Sequence, residues 1–593
     1  YYENALETAR SVRATGAEGR ALGHQADVYL NDDNAKYAVH LLREALPKLN
    51  VSGDLELSAY FVGRLGQALV QNGQEIEGRQ LLERALRLAK QLEYRRYERH
   101  WSRIIGETAL DEGRYEEALT HFEYALGLAL DQVTAERLHL LCRSSRAYIA
   151  LGKCEPAVQS ARQALELAGQ LADMTAAVEA RGVLGAALLA DKKPAEAIEN
   201  LQAAATYYEH LPVDLSSITV LRSLGAAQAE NGQLEAAIAT YQQASQRAQK
   251  LASRLPLAQV YRDLGLLYSQ QRDLTNAIKT WTAALAIYEA EKFSAQVARL
   301  HCDIAAARKY LGQGQRAIKD YEQALMAIND LKDDWETRGL VLSNAATAYV
   351  DQGDIESAEA FFNEAITLAR RVNNEVAEAT RRGNYGWFLL ATGRPQQAIA
   401  ALQYALQISK TLRLDLQAAI QTDNLGLAQD LLGNTQRALE YHQQALEMVL
   451  PLANPHWENI FRATQAATLT ALNHVDEAAA LLATVVAAGR THTDIEVVVY
   501  GLTGQARIAL VRGQLPLAGS LLDEALSFAR RADLRRLQAE VLSLSSEYQA
   551  ALGQPERAAG LWDEAQRLFI LLHMPQAKTQ PGWLHPRTLK PMA

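Results

Sequence analysis

Polar and apolar residues along this chain follow helical spacing, and turn residues interrupt them at regular intervals. The segment "AIATYQQASQRAQKL" (237–251) shows the rule, because its apolar positions recur three and four residues apart. Glycine-containing stretches such as "ENGQ" (230–233) separate such segments. The pattern predicts a long series of amphipathic helices joined by short turns.

One class of turn recurs at a nearly constant interval along the chain. Its positions are Asp33, Gly73, Gly113, Gly152, Lys192, Gly232, Arg272, Gly312, Gly353, Gly393, Gly433, Asn473, Gly513 and Gly553. Ten of these fourteen residues are glycine and the others are polar. Chains that leave a helix often pass through a left-handed conformation, which favours glycine. The column therefore predicts fourteen helix–turn–helix pairs.

Small and large residues keep fixed distances from the same turns. Seven residues before each turn the side chain is small, at Ala26, Gly66, Gly106, Ser145, Gly185, Gly225, Gly265, Ala305, Ala346, Gly386, Gly426, Ala466, Ala506 and Ser546. Nine residues after the turn it is usually large, as at Phe122, Tyr241, Trp281, Tyr321, Phe362 and Trp562. Two helices approach closely only where side chains are small, and large residues then fill the remaining gaps. We expect closely packed helix pairs in which large residues fill the gaps between neighbouring pairs.

The columns together resemble the tetratricopeptide repeat. In "LGAAQAENGQLEAAIATYQQA" (224–244), the Leu-Gly, turn Gly, Ala, aromatic and Ala positions match the family spacing, and the resemblance covers residues 19–574. The period here is about 40 instead of 34, and the family's proline near the end of the second helix is missing. This longer form resembles kinesin light chains and the repeat domains of bacterial signalling ATPases and transcriptional activators. The resemblance implies an all-α solenoid of about fourteen repeats with lengthened helices, wound as a right-handed superhelix.

The two ends depart from the repeat. Tyr2 and Ala5 precede Leu42 and Ala45 by one full period, so residues 1–18 are interpreted as the second helix of an earlier, truncated repeat, with a possible upstream domain. Residues 575–593 form a proline-rich basic tail. This tail either folds back over the last repeat, anchored by Trp583, or serves as a flexible tether.

Composition and motifs argue against several function classes. The chain has 60 Lys and Arg against 69 Asp and Glu, a net charge of −9, which argues against nucleic-acid binding. Three cysteines form no disulfide framework, which favours a reducing, cytoplasmic location, and no apolar run reaches the length of a membrane helix. Phosphate-loop, zinc-protease and nucleophile-elbow motifs are absent, and the histidines are scattered. We expect no enzyme activity, cofactor or metal.

One polar row stands out nine residues before the turns. Five successive repeats carry Asp263, Asp303, Asn344, Asn384 and Asn424 there, although helix interiors mildly disfavour both residue types. The family resemblance implies that this position faces the concave groove, where stacked carboxamides would hold the backbone of an extended peptide by donating and accepting hydrogen bonds.

Three charged residues lie one position earlier in their repeats. Arg222 and Arg262 would add positive charge at one end of the row, and Asp423 would add negative charge at the other. In the alternative interpretation, the amides bond to the neighbouring helix and only fix register.

Three functions are compatible with this pattern. The first is a scaffold that binds an extended segment of a protein partner in its groove. The second is the sensor or autoinhibitory arm of a larger signalling NTPase or protease whose N-terminal domain precedes Tyr1. The third is a structural subunit that packs through its outer surface. Fold alone does not choose among them.

Overall fold

A computed structural model describes residues 2–32, 34–129, 133–311, 313–331, 334–579 and 581. Over these ranges the chain forms 29 α-helices and no β-strand. The helices are α1 (Tyr2–Ser11), α2 (Thr15–Asn31), α3 (Ala35–Ser52), α4 (Leu55–Gln71), α5 (Glu75–Gln91), α6 (Arg95–Asp111), α7 (Tyr115–Gly127), α8 (Ala135–Ala150), α9 (Cys154–Leu171), α10 (Met174–Ala190), α11 (Pro194–Tyr208), α12 (Leu215–Glu230), α13 (Leu234–Ala248), α14 (Leu255–Gln270), α15 (Leu274–Ala290), α16 (Ser294–Tyr310), α17 (Gly314–Ala327), α18 (Trp335–Gln352), α19 (Ile355–Arg371), α20 (Glu375–Ala391), α21 (Pro395–Thr411), α22 (Asp415–Leu431), α23 (Thr435–Val449), α24 (Pro455–Ala471), α25 (Val475–Thr491), α26 (Ile495–Val511), α27 (Leu515–Arg531), α28 (Arg535–Ala551) and α29 (Pro555–Leu571). The all-α fold class is confirmed.

The chain divides into two compact units, residues 1–263 and 264–593, with the border inside α14. Unit 1 contains six consecutive helix pairs, from α2 and α3 to α12 and α13. Unit 2 contains seven, from α16 and α17 to α28 and α29, and a turn joins α14 to α15. Helices of these pairs are 13–18 residues long. Two such helices with their turns account for the long period of the sequence columns.

The predicted turn column adopts the left-handed conformation. Twelve of its fourteen positions lie in the described residues and all have positive φ, including Lys192 at 59°, Arg272 at 63° and Asn473 at 65°. Asp33 and Gly312 lie outside the described residues. Most corners between one pair and the next also contain a left-handed residue, but it is usually an ordinary one, such as Glu93 or Thr493. Because these left-handed residues are usually not glycine, the sequence shows no glycine column at the corners between pairs.

Residues of the small column contact residues of the large column within the same helix pair. A Cβ atom added to Gly225 would lie 3.0 Å from the ring of Tyr241, and one added to Gly106 would lie 2.6 Å from the ring of Phe122. The large residue therefore packs on the small residue of its own pair, sixteen positions earlier, and Phe122 is fully buried there. Close approach of the two helices depends on this complementarity.

Helix starts follow local chemistry. Pro194 and Pro395 are the first residues of α11 and α21, where a missing N–H leaves no helical bond unmade. First helices are often capped by a carboxylate, as where Asp54 accepts from the backbone N–H of Leu57 and Asp214 from that of Ser217. These signals fix where those helices begin and hence the phase of their faces.

The C-terminal tail enters the described residues only in part. Pro575–Lys578 forms a short 3-10 helix after α29. Trp583, the anchor expected for a tail that folds back, lies outside the described residues.

Candidate functional site

The beginning of the predicted row lies in unit 1 and is a cluster of ion pairs. Arg222 donates from Nε to Asp263 Oδ2 at 2.8 Å and from Nη1 to Gln259 Oε1 at 2.6 Å. Arg262 Nη2 lies 3.0 Å from the other carboxylate oxygen of Asp263. Two arginines thus share one carboxylate. Both arginines expected at the basic end of the row are therefore paired within the chain.

The remaining row residues lie in unit 2, on four successive first helices. Asp303 of α16 is exposed, Asn344 of α18 and Asn384 of α20 are half-buried, and Asn424 of α22 is buried at 7% exposure. Exposure therefore decreases along the row. The first three side chains are exposed or half-buried, and the fourth is nearly covered.

The row amides form hydrogen bonds between the first helix of one pair and the first helix of the next pair. Asn384 Nδ2 donates to Ser343 Oγ of α18 at 3.3 Å. Burial and the Asp303 charge raise the pKa of the Cys302 thiol, whereas a hydrogen bond with Asn344 lowers it. Each bond links one repeat to the next, as the register interpretation expects. An amide has two N–H groups and a carbonyl oxygen, so one such bond leaves further capacity for a ligand.

Asp423, which was expected to add a negative charge at the end of the row, is buried and bonded within the protein. It is 3% exposed, and its Oδ1 lies 2.6 Å from His442 Nδ1 and accepts from Thr464 Oγ1 at 2.8 Å. His442 Nε2 lies 3.5 Å from Asp430 Oδ2. Burial lowers the pKa of His442, but the two carboxylates outweigh it and raise the pKa to about 9. The Asp423 charge is therefore held by a buried histidinium instead of being offered to a ligand.

The face of unit 2 that carries the row also contacts distant repeats. Trp387 follows Asn384 by three residues and therefore lies on the same face of α20. The guanidinium of Arg536, in α28, lies 5.7 Å from the ring centroid of Trp387. Tyr310, seven residues after Asp303, packs edge-on against His456 of α24, with ring centroids 6.1 Å apart. We call this surface, from which α16 and α20 contact α24 and α28, the inner face of unit 2.

Charged side chains accompany these contacts. His456 Nδ1 lies 2.7 Å from Asp494 Oδ2, and Arg272 lies 3.7 Å from the same oxygen. Burial raises the pKa of Asp494, but the bond and charge of His456, the backbone N–H of Val497 and the charge of Arg272 together lower it below its ordinary value. Burial also raises the pKa of Glu496, opposed by the charges of His456 and Lys309. The inner face is thus partly enclosed and rich in charge. The sequence period did not predict these enclosing contacts, because they join repeats that are far apart in sequence.

Metal sites and membrane-spanning helices are two further features that the described residues can be checked against by their geometry. Within the described ranges, no group of three or more His, Cys, Asp or Glu side chains is arranged to hold a metal ion. None of the described helices is both long enough and apolar enough to span a membrane.

Comparisons with solved structures find matches of low sequence identity and low TM-score. BtubC (BKLC) from P. vanneervenii is 21% identical and covers 38% of this chain and 92% of its own, with a TM-score of 0.34. A Rap protein complexed with Competence and Sporulation Factor is 13% identical, covering 67% and 98%, with a TM-score of 0.44. The TPR-like repeats of a Podosopora anserina protein designated a kinesin light chain are 18% identical, covering 32% and 94%, with a TM-score of 0.29. These scores say nothing about function.

Family models match two parts of unit 2. Both are described as tetratricopeptide repeat, and they cover residues 337–411 and 422–455. No curated protein matches the sequence. The matched segments contain Asn344, Asn384 and Asn424, and their helix pairs have the same turn and packing columns as the rest of the array. The chain thus contains tetratricopeptide repeats within unit 2, at residues 337–411 and 422–455.

Proposed function

We propose that this protein is a non-enzymatic scaffold that binds an extended segment of a partner protein along the inner face of unit 2. The observation that carries the proposal is the alignment of Asp303, Asn344 and Asn384, which lie at one helical position in successive repeats and are exposed or half-buried. Groups of this kind, spaced by one repeat, can bond to successive N–H and C=O groups of an extended backbone.

The bonds between repeats support this proposal instead of opposing it. Asn384 uses one N–H on Ser343, and its side chain is half-buried, so the amide has further hydrogen-bonding capacity. A side chain held by its neighbour loses less rotamer freedom when a ligand binds, so the ordering cost falls. Fixing register and binding a peptide are therefore compatible roles for the same residue.

Apolar residues add to the surface. Leu340, at the start of α18, is 39% exposed, and Leu431, at the end of α22, is 44% exposed. Trp387 is half-buried between them in sequence, on α20. An extended segment with alternating polar and apolar side chains would find both kinds of contact here.

The direct test replaces Asn344, Asn384 and Asn424 together by alanine. Affinity capture with mass spectrometry identifies a partner, and isothermal titration then measures its segment against both proteins. Each lost hydrogen bond removes roughly 0.5–1.5 kcal/mol, so we expect the triple variant to bind roughly 10- to 1,000-fold more weakly.

A matched control uses the outer row of the same repeats. Asn363, Gln403 and Gln443 are exposed and occupy equivalent positions of α19, α21 and α23. Their alanine variant should bind normally. If the inner variant retains its helical circular dichroism and full affinity, the groove proposal is wrong. If only the outer variant loses affinity, the protein acts through its outer surface.

A further inference from the structure

A second feature of the inner face is a cation site at the end of α20, which the chain fills with its own side chain. Arg536 Nη1 lies 3.4 Å from the backbone carbonyl oxygen of Ala391, the last residue of α20, and donates to it. The same guanidinium lies over Trp387. The arginine comes from α28, 145 residues further along the chain.

Both components of this site favour a cation. The last carbonyls of a helix have no intrahelical partner and carry partial negative charge, which stabilises a positive group. The face of an indole ring attracts a guanidinium through its quadrupole. Trp387 lies one helical turn from Asn384, so a basic group bound here is next to the amide row.

Three further contacts between distant repeats lie at corners. Asp533, at the corner before α28, lies beside Gly314, the first residue of α17. Gly353 contacts the backbone carbonyl of Leu571 at the end of α29, and Gly393 lies beside Pro575. We call these three corner contacts the seam. They involve glycine backbone, one carboxylate, one proline, and the backbone and side chain of one leucine. Contacts of this kind separate at low cost compared with the packing inside a helix pair.

We propose that Arg536 is an internal ligand that occupies the cation site while the seam is closed, and that a basic side chain of the bound partner takes its place. This inference rests on the proposed function, because it specifies the segment that the amide row receives: an extended peptide with an Arg or Lys next to the residues held by Asn384. While the seam is closed, the start of α28 lies against Trp387 and covers this end of the row.

The test uses defined peptide probes. Three fluorescein-labelled nonapeptide pools carry a fixed central Arg, Glu or Leu, with the other positions randomised. Fluorescence anisotropy measures their binding to the full chain, to Arg536→Ala and to Arg567→Ala. Arg567 is exposed on α29 and serves as the matched control. We expect the Arg pool to bind Arg536→Ala about tenfold more tightly than the unchanged protein, with Arg567→Ala unchanged.

A disulfide across the seam tests the need for opening. A Cβ atom at Gly314 would lie 3.5 Å from the Cβ of Asp533, within the range of about 3.5–4.5 Å found in disulfides. Gly314→Cys combined with Asp533→Cys can therefore lock the seam, in a background where the partly exposed Cys154 is serine. The oxidised protein should bind the Arg pool at least tenfold more weakly than the same protein after reduction, which is its own control.

The outcomes separate this inference from the proposed function. Equal binding of the Arg and Glu pools, no gain in Arg536→Ala, or no effect of the lock would overturn the internal-ligand proposal. If the pools still bind and lose affinity in the Asn344, Asn384 and Asn424 triple variant, the groove itself stands. If no pool binds any variant, both proposals fail.

Discussion

Replacing Gly386 by alanine tests the close packing that sets the repeat. A Cβ atom there would lie 2.6 Å from Cγ and Cδ2 of Leu402, which is fully buried in the second helix of the same pair. Such a distance is well inside van der Waals contact, so Leu402 or one of the two helices must move. Because Leu402 is surrounded by packed neighbours, the movement costs energy.

Two opposing terms set the size of the effect. Alanine improves the propensity of the helix by about 1 kcal/mol over glycine. Overpacking of a filled core costs roughly 1–3 kcal/mol. A control isolates the second term: Gly560, inside α29, is exposed and would meet no atom within 4 Å of an added Cβ. Gly560→Ala should therefore stabilise the protein, and the difference between the two variants should be roughly 1–3 kcal/mol.

Hydrogen exchange followed by mass spectrometry is the appropriate assay, since a long repeat array need not unfold in one step. Amides of α20 and α21 report on Gly386→Ala, and amides of α29 report on Gly560→Ala. A loss of about 1.4 kcal/mol corresponds to tenfold faster exchange from locally opened states. Adding Leu402→Ala should remove the clash, so in that background Gly386→Ala should become stabilising.

Two results would refute the reasoning. One is a difference below about 0.5 kcal/mol between the Gly386 and Gly560 variants, which would mean that the added methyl group is accommodated freely. The other is an unchanged penalty in the Leu402→Ala background, which would place the strain somewhere other than this contact.

Two further predictions concern stability. His442 has a pKa of about 9, raised above its ordinary value of 6.5, so its contribution of roughly 3 kcal/mol should be complete below pH 6.5 and disappear as the pH rises through 9. Urea unfolding of unit 2 between pH 6.5 and 9.5 should show this loss, and an equal loss in His442→Gln would contradict it. Gly225→Leu should cost roughly 3 kcal/mol or more, because its side chain would enter the space filled by Tyr241. A melting temperature lowered by less than a degree would contradict that expectation.

The array of helix pairs was predictable because it depends on neighbours. A glycine turn, a small residue and a large residue recur in phase, and the structure gives each the local role that its chemistry indicates. Lys192, Arg272 and Asn473 adopt the glycine conformation because the flanking helices impose it. Their places could be read only from the column, since their side chains alone do not indicate a left-handed turn.

The candidate site was predictable in part. The sequence placed Asn344 and Asn384 on one face, but Asp423 appeared as a free charge because its partner His442 occupies a position that is usually large and apolar. The contact between Arg536 and Trp387 was not predictable from the repeat, because the repeat period relates only neighbouring helix pairs. A contact between residues 145 positions apart depends on the total rotation that builds up over several repeats, and local sequence patterns do not predict that total.

The seam has a consequence for how this chain can change its length. In an array held together only by adjacent modules, duplication or loss of one module is tolerated, since each new junction copies an old one. Between Gly314 and Asp533 that freedom is gone, because one module more or less would carry α28 away from the end of α20. The number of helix pairs between Gly314 and Asp533 therefore cannot change without loss of the seam contacts. The seam places no such limit on the helix pairs before Gly314.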